Sequence, residues 1–297
     1  MPERPTSTTP TPKRMGKLLT YFSFVRFSHS VFALPFALTG ALLAWRTQPF
    51  AWWQVAWIVV CMVAARSAAM GFNRLVDARF DALNPRTAMR ELPRGAMSAR
   101  EAAVFVVVAS VVFVYAAGRL NSLCLLLAPV ALAIVFWYSL AKRYTSYTQL
   151  FLGLAMAVAP VGGWIAAGGR GGAEPWLLGL AIGLWVGGFD ILYACQDVAF
   201  DRAHGLRSIP ARFGVAVAIR LSRLMHVATI VVMAALWRAA DLPSLYLAGV
   251  ALVAVLLAYE QSLVSEQDLS QVRKAFDLNG YVGIIYFAAT ALSLVIG

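Results

Sequence analysis

Residues 73–81 read Asn73-Arg74-Leu75-Val76-Asp77-Ala78-Arg79-Phe80-Asp81 and close an apolar run that begins near residue 51. Asn73, Asp77 and Asp81 stand at i, i+4 and i+8, so a helix sends all three side chains out by one face. Ala65 and Ala69 continue the stripe, which lets that face open into a space instead of plugging it. Oxygen donors gathered at the end of a helix of membrane length point to a hard-cation site beside a cavity.

A second apolar run ends in the same way. Asp190, Asp197 and Asp201 stand at i, i+7 and i+11, which on a continuous helix places them within roughly 40° of arc. Gly179, Gly183 and Gly187 give this run a small-residue face that admits a close neighbour. A basic loop follows each stripe, with Arg86, Arg90 and Arg94 after the first and Arg202, Arg207 and Arg212 after the second. The shared layout suggests a distant internal duplication. Five aspartates and an asparagine meeting at one end of a bundle would repel each other unshielded. Divalent cations relieve that repulsion, and Mg²⁺ completes its octahedron with water and substrate phosphates. With arginines nearby, the simplest ligand is a diphosphate, and a bundle cavity in lipid implies that its other end is greasy.

The rest of the chain supports a membrane setting. Of 297 residues, 61% are hydrophobic and 13% charged, and the mean hydropathy is +0.72; soluble domains run nearer 45–50% and about 25%. Hydrophobicity and breakers predict an all-α polytopic protein of nine transmembrane helices in one bundle around a central cavity. The spans are residues 18–45, 51–82, 98–118, 122–141, 147–168, 175–200, 214–237, 243–264 and 276–296. Assigning the loops alternately to two sides puts 19 of the 25 Lys and Arg residues on one side and four on the other, with Arg26 and Arg66 inside spans. The positive-inside rule then predicts a cytoplasmic N-terminus, with both acidic stripes on the cytoplasmic side. The same rule explains most of the formal charge of +11 without nucleic acid. Residues 1–14, rich in Pro, Thr and Ser, read as a disordered tail, and residues 15–297 as a single transmembrane domain. Cys61, Cys124 and Cys195 lie far apart in apolar runs and read as packing residues.

The motifs Asn73-x-x-x-Asp77-x-x-x-Asp81 and Asp197-x-x-x-Asp201 resemble the two aspartate-rich motifs of the UbiA superfamily of intramembrane aromatic prenyltransferases. The surrounding sequence is similar to the family too, in Asn84-Pro-Arg-Thr87, Leu92-Pro-Arg-Gly95 and the run from Tyr138 to Thr145 that contains Lys142 and Arg143. The likeness runs from about residue 15 to the end. Glu91 and Arg74 depart from the commoner proline and aspartate. Phe27 to Leu38 looks like the 4-hydroxybenzoate polyprenyltransferase-like branch, part of which is associated with the futalosine route to menaquinone.

The resemblance implies an enzyme of the bacterial-type inner membrane, its site open to the cytoplasm. It would move a polyprenyl group from a polyprenyl diphosphate to an aromatic acid of the 4-hydroxybenzoate or 1,4-dihydroxy-6-naphthoate type, in ubiquinone or menaquinone biosynthesis. Two Mg²⁺ are expected, one on Asn73, Asp77 and Asp81 and the other on Asp197 and Asp201. Asp190 is expected to orient the acceptor or support the second metal. Lys142, Arg143 and Arg207 are the candidates for diphosphate contact, whereas Arg79, Arg86, Arg90 and Arg94 read as topology or lipid-headgroup residues. For the acceptor the candidates are Arg66, two turns below Asn73, and its competitor Arg26, with Tyr138 and Tyr193 among the aromatic lining. A structural pairing of Arg66 with Asp190 is the competing expectation. The rival class is an ion- or proton-coupled transporter using the same carboxylates, which predicts acids near mid-membrane and broken helices.

Overall fold

The computed structural model describes residues 17–24 and 33–296, and every regular element among them is helical. In order these are α1 (Lys17–Phe24), α2 (Leu34–Trp45), α3 (Trp52–Leu83), α4 (Ala99–Leu120), α5 (Ser122–Tyr144), α6 (Thr148–Ala166) and α7 (Glu174–Ala194). A 3₁₀ turn, Cys195–Asp197, leads into α8 (Val198–Ala203), followed by α9 (Ile209–Phe213), α10 (Val215–Ala239), α11 (Leu245–Ser262) and α12 (Val272–Ile296).

Eight segments are long and apolar enough to cross a membrane: α3, α4, α5, α6, the run Glu174–Ala203, α10, α11 and α12. α2 has 12 residues, about 18 Å of helix at 1.5 Å per residue, against a hydrocarbon core of about 30 Å. The expected first span, 18–45, therefore corresponds to α1 and α2, and its continuity across residues 25–32 lies outside the described residues. So do the tail and Arg26.

Local chemistry sets the helix ends. Ser98 and Glu101 form a reciprocal capping box at the start of α4. Asn121 ends α4 and caps α5 through Cys124 N (2.8 Å), and its amide donates to Ile165 O (2.8 Å), tying the α4–α5 turn to the end of α6. α6 gives way to a glycine-rich loop at Gly168, whose φ of 88° is in the left-handed region.

The most extensive helix pairings are α3 with α4, α6 with α7, and α7 with α10. The largest buried cluster draws on α2–α7 and α10–α12, with Phe36, Trp185 and Tyr286 among its largest fully buried side chains. α2 meets α6 backbone to backbone: a Cβ at Gly163 would stand 1.9 Å from the Ala37 carbonyl oxygen. α6 meets α7 just as closely, since a Cβ at Gly153 would stand 2.3 Å from Gly183 O. The small-residue face read from Gly179, Gly183 and Gly187 is thus the seam with α6. Large apolar side chains on α4 and α5, such as Val107, Val111 and Leu126, point outward. A soluble protein would hide such a surface, and a lipid-facing one displays it.

These close packings leave an apolar chamber of ≈ 680 Å³ that opens to the outer face of the bundle past exposed side chains such as Val130, Leu154 and Leu180. Its walls are apolar side chains of α3, α5, α6 and α7, including Leu132, Val135 and Leu180. Ala65 and Ala69 line it, as the stripe on α3 requires. Polar groups enter it at Arg66 and Tyr138.

Candidate active site

The acidic stripe of α3 is buried at Asp77 and Asp81, and each carboxylate is met by cations from another part of the chain. Asp77 accepts from Lys142 Nζ at 2.7 Å, from Arg143 Nη2 at 3.2 Å and from the Asn73 amide at 3.3 Å. Lys142 and Arg143 reach it because they end α5, which runs beside α3. Arg143 Nη2 also donates to Val76 O at 2.5 Å. Asp81 holds Arg90 Nη1 at 2.7 Å from both carboxylate oxygens.

The second stripe departs from the ideal helix. α7 ends at Ala194, and the 3₁₀ turn that follows has 3.0 residues per turn where an α-helix has 3.6. Three such residues rotate the chain by about 60° beyond the α-helical course. Asp197 and Asp201 therefore do not sit in the narrow arc read from the spacing. Asp197 takes Arg86 Nη2 at 2.5 Å, Arg86 Nε at 3.2 Å and Asn84 Nδ2 at 3.4 Å. Asp201 accepts from Ser208 Oγ at 2.8 Å.

Arg86 and Arg90 correct the reading that made them topology or lipid-headgroup residues. They extend from the loop after α3 and pair with Asp197 and Asp81 respectively. Arg86 also donates to Tyr193 OH at 2.9 Å, which brings Tyr193 into the polar cluster and not the chamber wall. Burial alone would lower the Arg86 pKa, but Asp197, Tyr193 and Asp81 outweigh it and hold the pKa above the ordinary value. Asn84 and Arg86 thus join the end of α3 to the acidic turn after α7, and the two stripes face one site. Lys142 acts electrostatically on Asp190 and Asp201 as well as on Asp77.

Arg207 lies beside this cluster, its backbone N donating to Lys142 O at 2.8 Å and its Nη1 to Tyr144 O at 2.6 Å. Arg66 and Tyr138 both line the polar end of the chamber, and the Arg66 Nε is buried without a hydrogen-bond partner among the described residues. No ion pair joins Arg66 to Asp190 among those residues, so the structural pairing is not formed. Phe72 packs on Phe136 in a tilted pair, with ring centroids 4.5 Å apart. Trp137 is 41% exposed and packs toward Tyr144 and Phe151 on the outer face. Cys61 and Cys124 line the chamber and Cys195 is buried.

The chamber lining stops at Ala69 and Tyr138, one helical turn short of Asn73 and Lys142. The carboxylates therefore begin where the apolar space ends. Among the described residues no three His, Cys, Asp or Glu side chains converge as a metal cage. The donors are hard oxygens held in twos and threes on facing segments and already offered to positive charge. That set fits Mg²⁺, which binds one or two protein carboxylates and leaves the remaining positions to water and phosphate.

Residues 33–288 match the model of the UbiA prenyltransferase family. The 4-hydroxybenzoate octaprenyltransferase of Photobacterium profundum is 32% identical over 237 residues, 80% of this chain and 82% of that protein. An apo structure of a UbiA homologue from Aeropyrum pernix K1 superposes with a TM-score of 0.83 at 36% identity, covering 90% of this chain and 98% of that one. A UbiA homologue from Archaeoglobus fulgidus bound to GPP and Mg²⁺ shares the fold at 19% identity, with a TM-score of 0.69 and coverage of 92% and 99%. Motifs, helical architecture and relatives agree, and the chain belongs to the UbiA prenyltransferase family.

Proposed function

We propose that this chain transfers a polyprenyl group from a polyprenyl diphosphate to an aromatic acid of the 4-hydroxybenzoate or 1,4-dihydroxy-6-naphthoate type. The observation that carries this reading is the junction of the two environments. Carboxylates and cations gather at one end of the bundle, immediately beyond an apolar chamber of ≈ 680 Å³. A lipid diphosphate matches both, with its head among the charges and the first isoprene units in the chamber. The relatives named 4-hydroxybenzoate octaprenyltransferase support the acceptor class, and the homologue bound to GPP and Mg²⁺ supports the donor and the metal.

Asn73, Asp77 and Asp81 would hold one Mg²⁺, and Asp197 with Asp201 a second. The chemistry supplied by bound Mg²⁺ is neutralisation of the charge that grows on the leaving diphosphate. Lys142 and Arg143, each paired with Asp77, turn to the diphosphate oxygens when the carboxylates take metal, and Arg207 lies beside them. A guanidinium suits phosphate oxygens geometrically, while the lysine contributes a mobile point charge. Arg66 holds the acceptor's carboxylate or phenolate against Tyr138, with its ring presented to the allylic carbon. Asp190, within the electrostatic reach of Lys142 and Asp197, orients the acceptor or supports the second metal. The apolar walls keep water from the electron-poor carbon. The site opens to the cytoplasm of a bacterial-type inner membrane, with nine crossings and a cytoplasmic N-terminus.

Product mass spectrometry tests the reading. The purified protein, given polyprenyl diphosphate and Mg²⁺ with both acceptors side by side, should yield a prenylated product of one of them and free diphosphate. Absence of any prenylated product would reject the proposed donor and acceptor classes.

A further inference from the structure

α7 carries Asp190 and leads directly into the turn with Asp197, but it does not pack extensively on α3, the helix of the facing carboxylates. The separation of the two acidic segments must be set by the helices around them. Toward α6 the seam is built on small residues, with Gly183 against Gly153 and Gly179 against Ala157 and Val161, which brings the two backbones close.

The remaining sides of α7 carry polar pins. From α10, Ser222 Oγ donates to Gly188 O at 2.7 Å, and His226 Nε2 lies 3.3 Å from Trp185 O. A carbonyl only accepts, so the His226 proton is on Nε2. Its Nδ1 then accepts from Gln261 Nε2 at 3.0 Å, and the same Gln261 nitrogen donates to Ser222 Oγ at 2.8 Å. Thus α11 braces both pins. From α12, Asn279 Oδ1 accepts from Trp185 Nε1 at 2.7 Å. Ser222, His226, Trp185 and Asn279 are all buried. In lipid-buried protein these groups have no water to turn to, so the arrangement is specific. A turn further along, Phe276 of α12 packs on Phe189 and Tyr193, with centroids 5.6 and 4.6 Å away. Tyr193 in turn accepts from the arginine that holds Asp197. The pins end close to the site, since Gly188 is two residues from Asp190, about 3 Å along the axis.

We propose that Ser222, His226 and Asn279 are positioning residues that fix the register of α7 and so hold Asp190 and Asp197 opposite Asp77 and Asp81. The inference rests on the reading of those carboxylates as metal and diphosphate machinery. None of the three pins touches that machinery. Their effect is on where it stands.

The test uses the full chain in nanodiscs, with Mn²⁺ as the probe, titrated in the presence of inorganic diphosphate and followed by the EPR signal of free Mn²⁺. Thermal midpoints are measured in parallel. Ser222→Ala and His226→Leu should each weaken Mn²⁺ binding about tenfold, the scale of a lost supporting partner. His226→Gln keeps an N–H donor and should recover most of the affinity. Tyr246→Phe serves as the control, because it removes a buried hydroxyl bond to Tyr286 (2.7 Å) between α11 and α12. It should lower the midpoint and leave the Mn²⁺ titration in place. If His226→Leu does not fold, Ser222→Ala decides. Wild-type affinity in Ser222→Ala, or an equal loss in Tyr246→Phe, overturns the positioning role and leaves the functional reading intact. A wild-type chain that takes up no Mn²⁺ with diphosphate overturns both.

Discussion

Asp77→Asn separates the two roles this carboxylate has, as partner of a cation pair and as metal ligand. The side chain is nearly isosteric, so packing is preserved while the charge is lost. Lys142 at 2.7 Å and Arg143 at 3.2 Å are left facing an amide. Removing one partner of a buried pair costs about 3–5 kcal/mol in general. Here the two cations are 28% and 27% exposed, water screens them, and about 1–3 kcal/mol is the better expectation. Turnover should suffer more. If the lost ligand removes about 3 kcal/mol of charge stabilisation from the transition state, the rate falls by about 100-fold. The assay is diphosphate release in nanodiscs across a Mg²⁺ titration, with thermal midpoints measured without metal or donor. Adding Lys142→Met to Asp77→Asn removes one stranded charge, and it should recover part of the stability and none of the turnover. A variant within about threefold of wild-type kcat at saturating Mg²⁺ would reduce Asp77 to a structural ion pair and refute the metal assignment.

Three further outcomes are expected. Arg66→Ala should raise the acceptor KM by about tenfold or more, the scale of a charged hydrogen bond of about 1.5–3 kcal/mol, with the donor KM little changed; an unaltered acceptor KM moves that role to another residue. Gly163→Ala drives a Cβ to 1.9 Å from the Ala37 carbonyl oxygen, and because backbone cannot yield as a side chain can, it should destabilise by about 1–3 kcal/mol or more; an unshifted unfolding midpoint argues against the close α2–α6 seam. In a variant lacking the native cysteines, a cysteine at Met89, which is 74% exposed, should react with impermeant thiol reagent from the cytoplasmic side, and one at Gly171 from the opposite side. The reverse pattern inverts the topology.

Much of the site is legible along the chain because its signals are local. Helical spacing alone aligns Asn73, Asp77 and Asp81, and most spans fall within a few residues of the helices because membrane-length apolar runs need no knowledge of neighbours. The same logic finds the second stripe but misplaces it in angle. Nothing in the order of residues at 195–197 announces a 3₁₀ turn. Arg86 and Arg90 escape for a different reason. A cytoplasmic loop of a membrane protein is expected to be basic whatever it touches, so the topology signal masks the functional one. The Asn84-Pro-Arg-Thr87 motif is the available clue. Ser222, His226, Gln261 and Asn279 form no spaced motif and stand among other polar residues of their helices, such as Arg220, Arg223, Glu260 and Asp277, so the sequence does not single them out.

The sequence by itself determined an all-helical membrane protein with two acidic helix ends, because periodicity, hydrophobic length and charge bias are properties of contiguous segments, and its motifs resemble those of the UbiA family. Only the tertiary structure decided which cation neutralises which carboxylate, where the apolar chamber stops, and what holds α7 in register. Those are distances between residues far apart in the chain, such as Arg86 and Asp197 or Trp185 and Asn279. They exist only once helix packing has brought the partners together.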